Sequence, residues 1–174
     1  GKTVRSEAAR IEAHTGQPLT DAWMAAFYAR RNALLEAELQ PIEGAIEAVR
    51  AVHARLGGRI ACASGADRYK VEMQLQKVGL APYFGANVFS GHEMPRTKPA
   101  PDVYLAAAAA LGVPPQRCLV VGDTVTGVAA GVAAGATVVG FSPSPLGHGA
   151  PEALLAAGAV RVIAHMSELP ALLG

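Results

Sequence analysis

Several kinds of residue are scarce in this chain of 174 residues, and each scarcity excludes a class of protein. The two cysteines, Cys62 and Cys118, lie in apolar runs, which argues against a disulfide-stabilised exported domain and against a cysteine metal site. Charged residues make up 17% of the chain, and a net charge of +1 indicates neither a nucleic-acid groove nor a membrane-binding patch. No apolar run is long enough to span a membrane. We therefore expect a soluble, cytoplasmic protein whose partner is a small molecule.

Aromatic residues are also scarce, at 5%, while alanine and glycine are abundant. Small side chains of this kind favour helices that pack closely on a sheet. Residues 1–40 have the pattern of two helices with no strand, whereas residues 41–174 alternate short apolar runs with amphipathic segments. We predict strands at 59–64, 87–90, 118–122, 137–141 and 160–163, and helices at 44–55, 67–78, 101–111, 125–134 and 151–157, with a last short helix. This alternation predicts an α/β fold with a mostly parallel sheet.

Ligands of such sheets bind at the carboxyl ends of the strands, and three of these ends carry polar residues. Ser64 and Gly65 follow the first strand, where a hydroxyl and backbone N–H groups can bind an anionic oxygen or simply cap the next helix. Lys98 lies in a proline-rich loop after the second strand, which favours a fixed positive charge for a phosphate over a flexible surface lysine. Asp123 follows the third, where it can cap a helix or hold a hard cation such as magnesium. Together they favour a phosphate and metal site.

The remaining polar residues give weaker signals. The five histidines, among them His92, show no metal-ligand spacing, and we interpret each as structural or solvated. No glycine-rich dinucleotide-binding loop follows a predicted strand, which argues against a dinucleotide enzyme. The three strand ends therefore carry the functional prediction.

The ordered set of Ser64 after a strand, Lys98 in TKPAPD, and Asp123 in VVGDTVTGVAAGVAAGA resembles three of the four motifs of the haloacid dehalogenase superfamily. The helical segment before the core resembles the branch of phosphoglycolate phosphatase and β-phosphoglucomutase, which carries a helical cap. The resemblance covers nearly the whole chain. It implies a three-layer Rossmann-like core at residues 41–174 and part of an inserted helical cap at residues 1–40.

The resemblance also implies a chemistry. In that family an aspartate on the first strand attacks the phosphoryl group, a second aspartate two residues later is the general acid and base, and magnesium links phosphate to carboxylates. By resemblance Ser64, Gly65 and Lys98 would bind phosphoryl oxygens, and Asp123 would help to hold magnesium. Lys2, Arg5, Asp67 and Arg68 are weaker candidates for substrate contact.

This sequence departs from the family pattern in two ways. No Asp-x-Asp occurs in it, so we expect the nucleophile and the strand that carries it to lie upstream of Gly1. Relatives usually have a second carboxylate in the motif around Asp123, but here Gly122 precedes it and Gly127 and Val128 fill the later positions. We expect magnesium to be held more weakly, or with water completing its ligand set.

The leading hypothesis is thus a magnesium-dependent phosphatase that acts on a small phosphorylated metabolite, such as a sugar phosphate or phosphoglycolate. This chain alone, without the Asp-x-Asp strand, would be inactive. A phosphomutase of the same family is the nearest alternative. A catalytically inert chain or fragment that binds a ligand or partner belongs to a different class. The sequence leaves the oligomeric state open.

Overall fold

The computed structural model describes residues 42–143 and 149–173, and these form alternating strands and helices. The helices are α1 (Ala45–Arg55), α2 (Arg68–Lys77), α3 (Ala81–Phe84), α4 (Asp102–Leu111), α5 (Val125–Ala133) and α6 (Pro151–Ala156). The strands are β1 (Cys62–Ser64), β2 (Val88–Ser90), β3 (Leu119–Gly122), β4 (Thr137–Phe141) and β5 (Arg161–Ile163). The predicted α/β fold with parallel strands is confirmed.

The described strands form two separate parallel sheets instead of one continuous sheet. β1 pairs with β2 in the first, and β3, β4 and β5 pair in that order in the second. α4 contacts both strands of the first sheet and also α5, which lies on β3 and β4 of the second. The helical layer therefore holds the two sheets side by side, with β1 and β3 as facing neighbours.

Close helix-on-sheet packing at α5 depends on one glycine. A Cβ at Gly131 would lie 2.7 Å from Cγ2 of Val138 and 3.2 Å from Cγ1 of Val120. A side chain there would push the helix away from β3 and β4, whose valines are buried beside the fully buried Val128. The glycine thus lets α5 pack closely on β3 and β4.

The structure differs from the predicted elements in a few places. The last segment forms two 3₁₀ turns, Met166–Glu168 and Pro170–Leu173, where we predicted a helix. α3 was not predicted, because four residues are too few for a helical period to be recognised. Strand β1 is shorter than the predicted 59–64. The two helices and the cap expected in residues 1–40 lie outside the described residues.

None of the helices within 42–143 and 149–173 is long and apolar enough to cross a membrane.

Candidate active site

A cavity of about 440 Å³ lies at the carboxyl ends of β1 and β3, the edge at which a parallel sheet binds ligands. Ser64, Gly65, Lys98 and Asp123 all line it. Ser64, Lys98 and Asp123 are separated by 34 and 25 positions along the chain, and the fold brings all three to this cavity.

Ser64 sits at the end of β1 in a turn that leaves its hydroxyl able to donate. The Ser64 Oγ accepts a hydrogen bond from the backbone N–H of Ala66 at 3.1 Å. The carbonyl of Ala66 in turn accepts from the buried Ser90 Oγ at 2.6 Å, which ties the turn to β2. A hydroxyl that accepts one hydrogen bond keeps its own hydrogen for a ligand oxygen. Ser64 can therefore donate to an anion in the cavity.

Lys98 enters the cavity from the loop before α4. Its Nζ donates to the backbone oxygen of Ala63 at 3.3 Å and lies 4.8 Å from the ring centroid of Tyr104, over the ring. A carbonyl oxygen and the negative face of an aromatic ring both stabilise an ammonium group. Burial raises the pKa of the neighbouring Cys62 thiol, an effect that the positive charge of Lys98 opposes. The cation is thus held at the end of β1 and faces the cavity.

The loop that carries Lys98 is closed by Asp102, the first residue of α4. One carboxylate oxygen accepts from the backbone N–H of Arg96 at 3.2 Å, and the other pairs with the Arg96 guanidinium at 2.9 Å. The Asp102 side chain is 12% exposed, whereas that of Arg96 is 69% exposed. The Asp102 carboxylate is therefore the shielded partner of the ion pair, and its hydrogen bond from the Arg96 backbone fixes the start of the lysine loop.

We expect Asp102→Ala to lower the free energy of unfolding by about 2 kcal/mol, because the charged acceptor of a backbone N–H is lost from a nearly buried position. Arg96→Ala removes only the exposed guanidinium and should cost less than about 1 kcal/mol. Urea unfolding of both variants measures the two values. Equal costs would show that the ion pair, and not the backbone bond, holds the loop.

Asp123 directly follows Gly122, the last residue of β3, and precedes the first turn of α5. Thr124 caps that helix, with its Oγ1 accepting from the backbone N–H of Gly127 at 3.0 Å. A Cβ at Gly149 would lie 2.6 Å from the backbone oxygen of Asp123, so only glycine permits the close approach of that loop. Asp123 thus lies just before a helix N-terminus, which favours negative charge, with its backbone oxygen close to Gly149.

Asp123 is the one acidic side chain among the described residues that line the cavity. In the same part of the chain, no group of three or more histidine, cysteine, aspartate or glutamate side chains could hold a metal ion. Magnesium, however, is commonly bound by one or two carboxylates, with substrate phosphate and water as further ligands. The described residues therefore fit magnesium as a partial ligand set that a phosphate must help to complete.

Asp67 and Arg68 do not line the cavity in the described part of the chain. Asp67 caps α2 by accepting from the backbone N–H of Lys70 at 3.1 Å. Arg68 pairs with Glu93 and Glu72 and donates to the backbone oxygen of Val88. The hydrogen bonding that Arg68 donates to Glu93 holds the pKa of Glu93 below its ordinary value and is the chief cause that raises the pKa of Arg68. Lys2 and Arg5 lie outside the described residues.

The cavity includes polar residues that the sequence analysis did not select. They are Lys70, His92, Tyr104 and Thr124. His92 stands two residues beyond the carboxyl end of β2, so the strand-end rule alone would have found it. Lys70 is in the first turn of α2, where helical side chains point back toward the N-terminus and hence toward the end of β1.

A family model described as haloacid dehalogenase-like hydrolase matches residues 2–135. The chain is 32% identical to 6-phosphogluconate phosphatase of Escherichia coli over 139 residues, which cover 80% of this chain and 59% of that protein. It thus spans less than two thirds of the length of the first curated relatives it matches.

Solved structures agree in fold. A HAD family hydrolase from Deinococcus radiodurans with bound phosphate and sodium is 33% identical, with a TM-score of 0.75, and the match covers 99% of this chain and 76% of that one. CbbY from Rhodobacter sphaeroides in complex with xylulose-(1,5)bisphosphate is 25% identical, with a TM-score of 0.71, and the match covers 88% of this chain and 68% of that one.

Proposed function

Because the chain belongs to the haloacid dehalogenase-like hydrolase family, we propose that it is the phosphate-binding portion of a magnesium-dependent phosphatase acting on a small phosphorylated metabolite. One observation carries the proposal: a hydroxyl, an ammonium group and a carboxylate from three separate strand ends line one cavity. The cation and the hydroxyl suit phosphoryl oxygens, and the carboxylate suits a hard cation. The relatives that are phosphatases support this reading.

In the proposed reaction, Ser64 and Lys98 bind oxygens of the phosphoryl group and offset the charge that grows on them. A carboxylate oxygen of an aspartate upstream of Gly1 attacks phosphorus, and the bond from phosphorus to the ester oxygen breaks. The leaving oxygen takes a proton from a second upstream aspartate. Water then attacks phosphorus of the aspartyl-phosphate and gives a proton back to the second aspartate, the bond from phosphorus to the carboxylate oxygen breaks, and phosphate leaves.

Asp123 would hold magnesium next to the phosphoryl group, and bound magnesium would neutralise phosphoryl charge and orient the group for attack. The first turn of α5 supports this role, because Thr124 fixes the backbone that follows Asp123. We place the reaction in the cytoplasm, where Cys62 and Cys118, both free thiols, would remain reduced.

The substrate class follows from the cavity and the relatives together. A volume of about 440 Å³ suits a phosphorylated metabolite of a few carbon atoms with its phosphate at Lys98. The related proteins named for 6-phosphogluconate and fructose-1-phosphate act on phosphorylated sugars or sugar acids. We therefore propose a sugar phosphate. A phosphomutase is the second candidate, because the chain is also similar in structure to a putative β-phosphoglucomutase from Thermotoga maritima.

The test is to express the longer chain of the same gene, with an upstream Asp-x-Asp strand, and to follow inorganic phosphate released from sugar phosphates with and without magnesium. We expect magnesium-dependent release. Movement of phosphate within the sugar without release would instead identify the phosphomutase. A longer chain with no turnover that still binds phosphate would identify an inert binding protein and overturn the proposal.

A further inference from the structure

The active-site cavity has two basic residues that the reaction proposed above does not use. Lys70 and His92 both line it, together with Lys98 and Asp123. Lys70 lies in the first turn of α2, and His92 lies in the 3₁₀ turn Gly91–Glu93 that follows β2. Asp123, the one acidic side chain among the described lining residues, follows β3. The cavity therefore has a basic side at β1 and β2 and an acidic side at β3.

A buried hydroxyl holds the turn that carries His92. The backbone N–H of His92 donates to Ser90 Oγ at 3.2 Å, and this hydroxyl donates to the backbone oxygen of Ala66 at 2.6 Å. Ser90 is fully buried, so water does not compete for either hydrogen bond. Because Ala66 belongs to the turn after Ser64, the two hydrogen bonds join the His92 turn to the Ser64 turn.

The same two turns also touch through glycines. A Cβ at Gly91 would lie 3.4 Å from Cα of Gly65 and 3.4 Å from the backbone oxygen of Ser64. Ser64 and Ser90 are partners in the parallel ladder of β1 and β2, where neighbouring strands lie about 4.8 Å apart. His92 therefore follows, by two residues, the strand position next to Ser64. Since both residues line one cavity, a small ligand can contact Ser64 with one end and His92 with the other.

An ion pair joins the His92 turn to the helix that carries Lys70. Arg68, the first residue of α2, donates from Nη2 to Oε2 of Glu93 at 3.0 Å, and Glu93 directly follows His92. The backbone N–H of Lys70 donates to Asp67, which caps the same helix. The carboxylate next to His92 in sequence is thus paired with Arg68, and both basic residues lie on backbone that is held in place.

One phosphoryl group does not need all of these donors. It has three non-bridging oxygens, and the function proposed above already gives them the Ser64 hydroxyl, the Lys98 ammonium group and magnesium at Asp123. A lysine ammonium has three N–H donors, and a histidine ring has at least one in either protonation state. Such donors suit the oxygens of a carboxylate or a phosphate. Lys70 and His92 therefore suit a second acidic group of the same ligand.

We propose that Lys70 and His92 form a second anion subsite, so that the substrate has a phosphate at one end and a carboxylate or a second phosphate at the other. The placement of the first phosphate at Lys98 rests on the function proposed above. Lys70 and His92 are then specificity-determining residues that favour a doubly acidic metabolite over a phosphate monoester with a neutral far end. An anionic end gains their charge-assisted hydrogen bonds, which are stronger than those that a hydroxyl makes.

Two sets of probes, each with a constant carbon chain, test the subsite. The shorter set is glycerol 3-phosphate, 3-phosphoglycerate and glycerol 1,3-bisphosphate. The longer set is sorbitol 6-phosphate, 6-phosphogluconate and sorbitol 1,6-bisphosphate. Within a set the probes differ only at the far carbon, which carries a hydroxyl, a carboxylate or a phosphate. Calorimetric titration of the 174-residue chain, with magnesium present, measures the affinity of each probe.

In at least one set we expect an acidic probe to bind at least about tenfold tighter than the hydroxyl probe, a difference of about 1.4 kcal/mol. Tighter binding of the carboxylate probe alone would identify the substrate as a phosphorylated acid. Tighter binding of the bisphosphate alone would identify it as a bisphosphate. A smaller preference in both sets would overturn the proposal.

Two substitutions show whether Lys70 and His92 cause this preference. Lys70→Gln and His92→Gln should each reduce it, and the double variant should reduce it to about twofold or less by weakening the acidic probe alone. Equal weakening of the hydroxyl probe would place the two side chains on the first phosphate, and an unchanged preference would place the acidic end elsewhere. Either result would overturn the proposal. Binding of the hydroxyl probe also shows that the double variant is folded.

Lys77→Gln and His53→Gln are the matched controls. Lys77 ends α2 and His53 lies in α1, and neither lines the cavity. Both variants should keep the full preference for the acidic probe, because the same side chains are lost outside the cavity. A preference lost equally in the controls would mean that the acidic end responds to the overall charge of the protein, which would contradict the proposal.

Failure of the subsite and failure of the proposed function give different results. A tenfold preference that depends on Lys70 and His92, with no phosphate released from any probe by the proposed phosphatase, would support the subsite and contradict the function. Magnesium-dependent phosphate release with equal kcat/KM for all members of each set would support the function and contradict the subsite.

Discussion

Lys98→Met is expected to lower the turnover of a sugar phosphate by the proposed phosphatase by about 10²- to 10³-fold, the usual cost of losing one fixed group that stabilises transition-state charge. Methionine keeps most of the length of the side chain and removes the charge. The backbone oxygen of Ala63 and the ring of Tyr104 hold the Lys98 ammonium group at the cavity. Its loss should therefore remove a positive charge that acts directly on the reacting phosphoryl group.

Lys77→Met provides the matched control. Lys77 ends α2, is exposed, and does not line the cavity, so the same change of chemistry there should leave turnover unchanged. Binding of inorganic phosphate to the 174-residue chain, measured by calorimetry, gives a second readout that requires no nucleophile. Turnover of Lys98→Met within about twofold of the unmodified chain would contradict a role for Lys98 in binding the phosphoryl group. A twofold change corresponds to about 0.4 kcal/mol of transition-state stabilisation, which is too little for a charged group at the reacting phosphate.

The sequence anticipated most of the element order because each helix and strand has a local signal. The predicted helix at 67–78 is observed as Arg68–Lys77, and the predicted strand at 137–141 as Thr137–Phe141. Apolar runs between turn residues identify strands, and the amphipathic segments between them identify helices. The same rules place Ser64, Lys98 and Asp123 after strands, which predicts that they lie at one edge of the sheet.

Features that depend on long-range geometry could not be predicted in this way. Arg68 follows the strand-end turn in sequence, yet its guanidinium turns to the outer edge of β2, because Glu93 lies within reach only once β1 and β2 pair. The division into two sheets has no local signal either. Each strand has the pattern of a buried parallel strand, and nothing in that pattern says which strands are neighbours.

Asp123→Asn is expected to weaken magnesium binding to the phosphate-bound chain by at least about tenfold, because it removes the one carboxylate that the described residues offer at the cavity. A tenfold change is about 1.4 kcal/mol, while two unit charges 4 Å apart at an effective dielectric constant of 20 interact by about 4 kcal/mol. Asparagine keeps the shape of the side chain and one oxygen ligand, so the change in magnesium affinity reports the loss of the negative charge. Calorimetric titration with magnesium chloride in saturating phosphate measures it.

Glu152→Gln is the control for that loss. Glu152 is an exposed carboxylate in the first turn of α6 and is not part of the cavity lining, so removing its charge changes the net charge of the protein equally. Magnesium affinity should stay within about twofold, since Glu152 is exposed, where salt screens its charge, and it does not line the cavity. An equal loss in both variants would mean that magnesium senses overall charge and is not held by Asp123.

Gly127→Asp should act in the opposite direction and strengthen magnesium binding. A Cβ at Gly127 would lie 3.9 Å from Nζ of Lys98 and 3.0 Å from Oγ1 of Thr124, so the new side chain starts at the cavity and needs only a small shift of a threonine hydroxyl. It would add a second carboxylate on the first turn of α5, one helical turn beyond Asp123, where negative charge suits the helix N-terminus. Gly127→Asn supplies the same bulk without the charge. Tighter magnesium binding by the aspartate variant alone would show that the site lacks a ligand; no gain would mean that water and phosphate already complete the set.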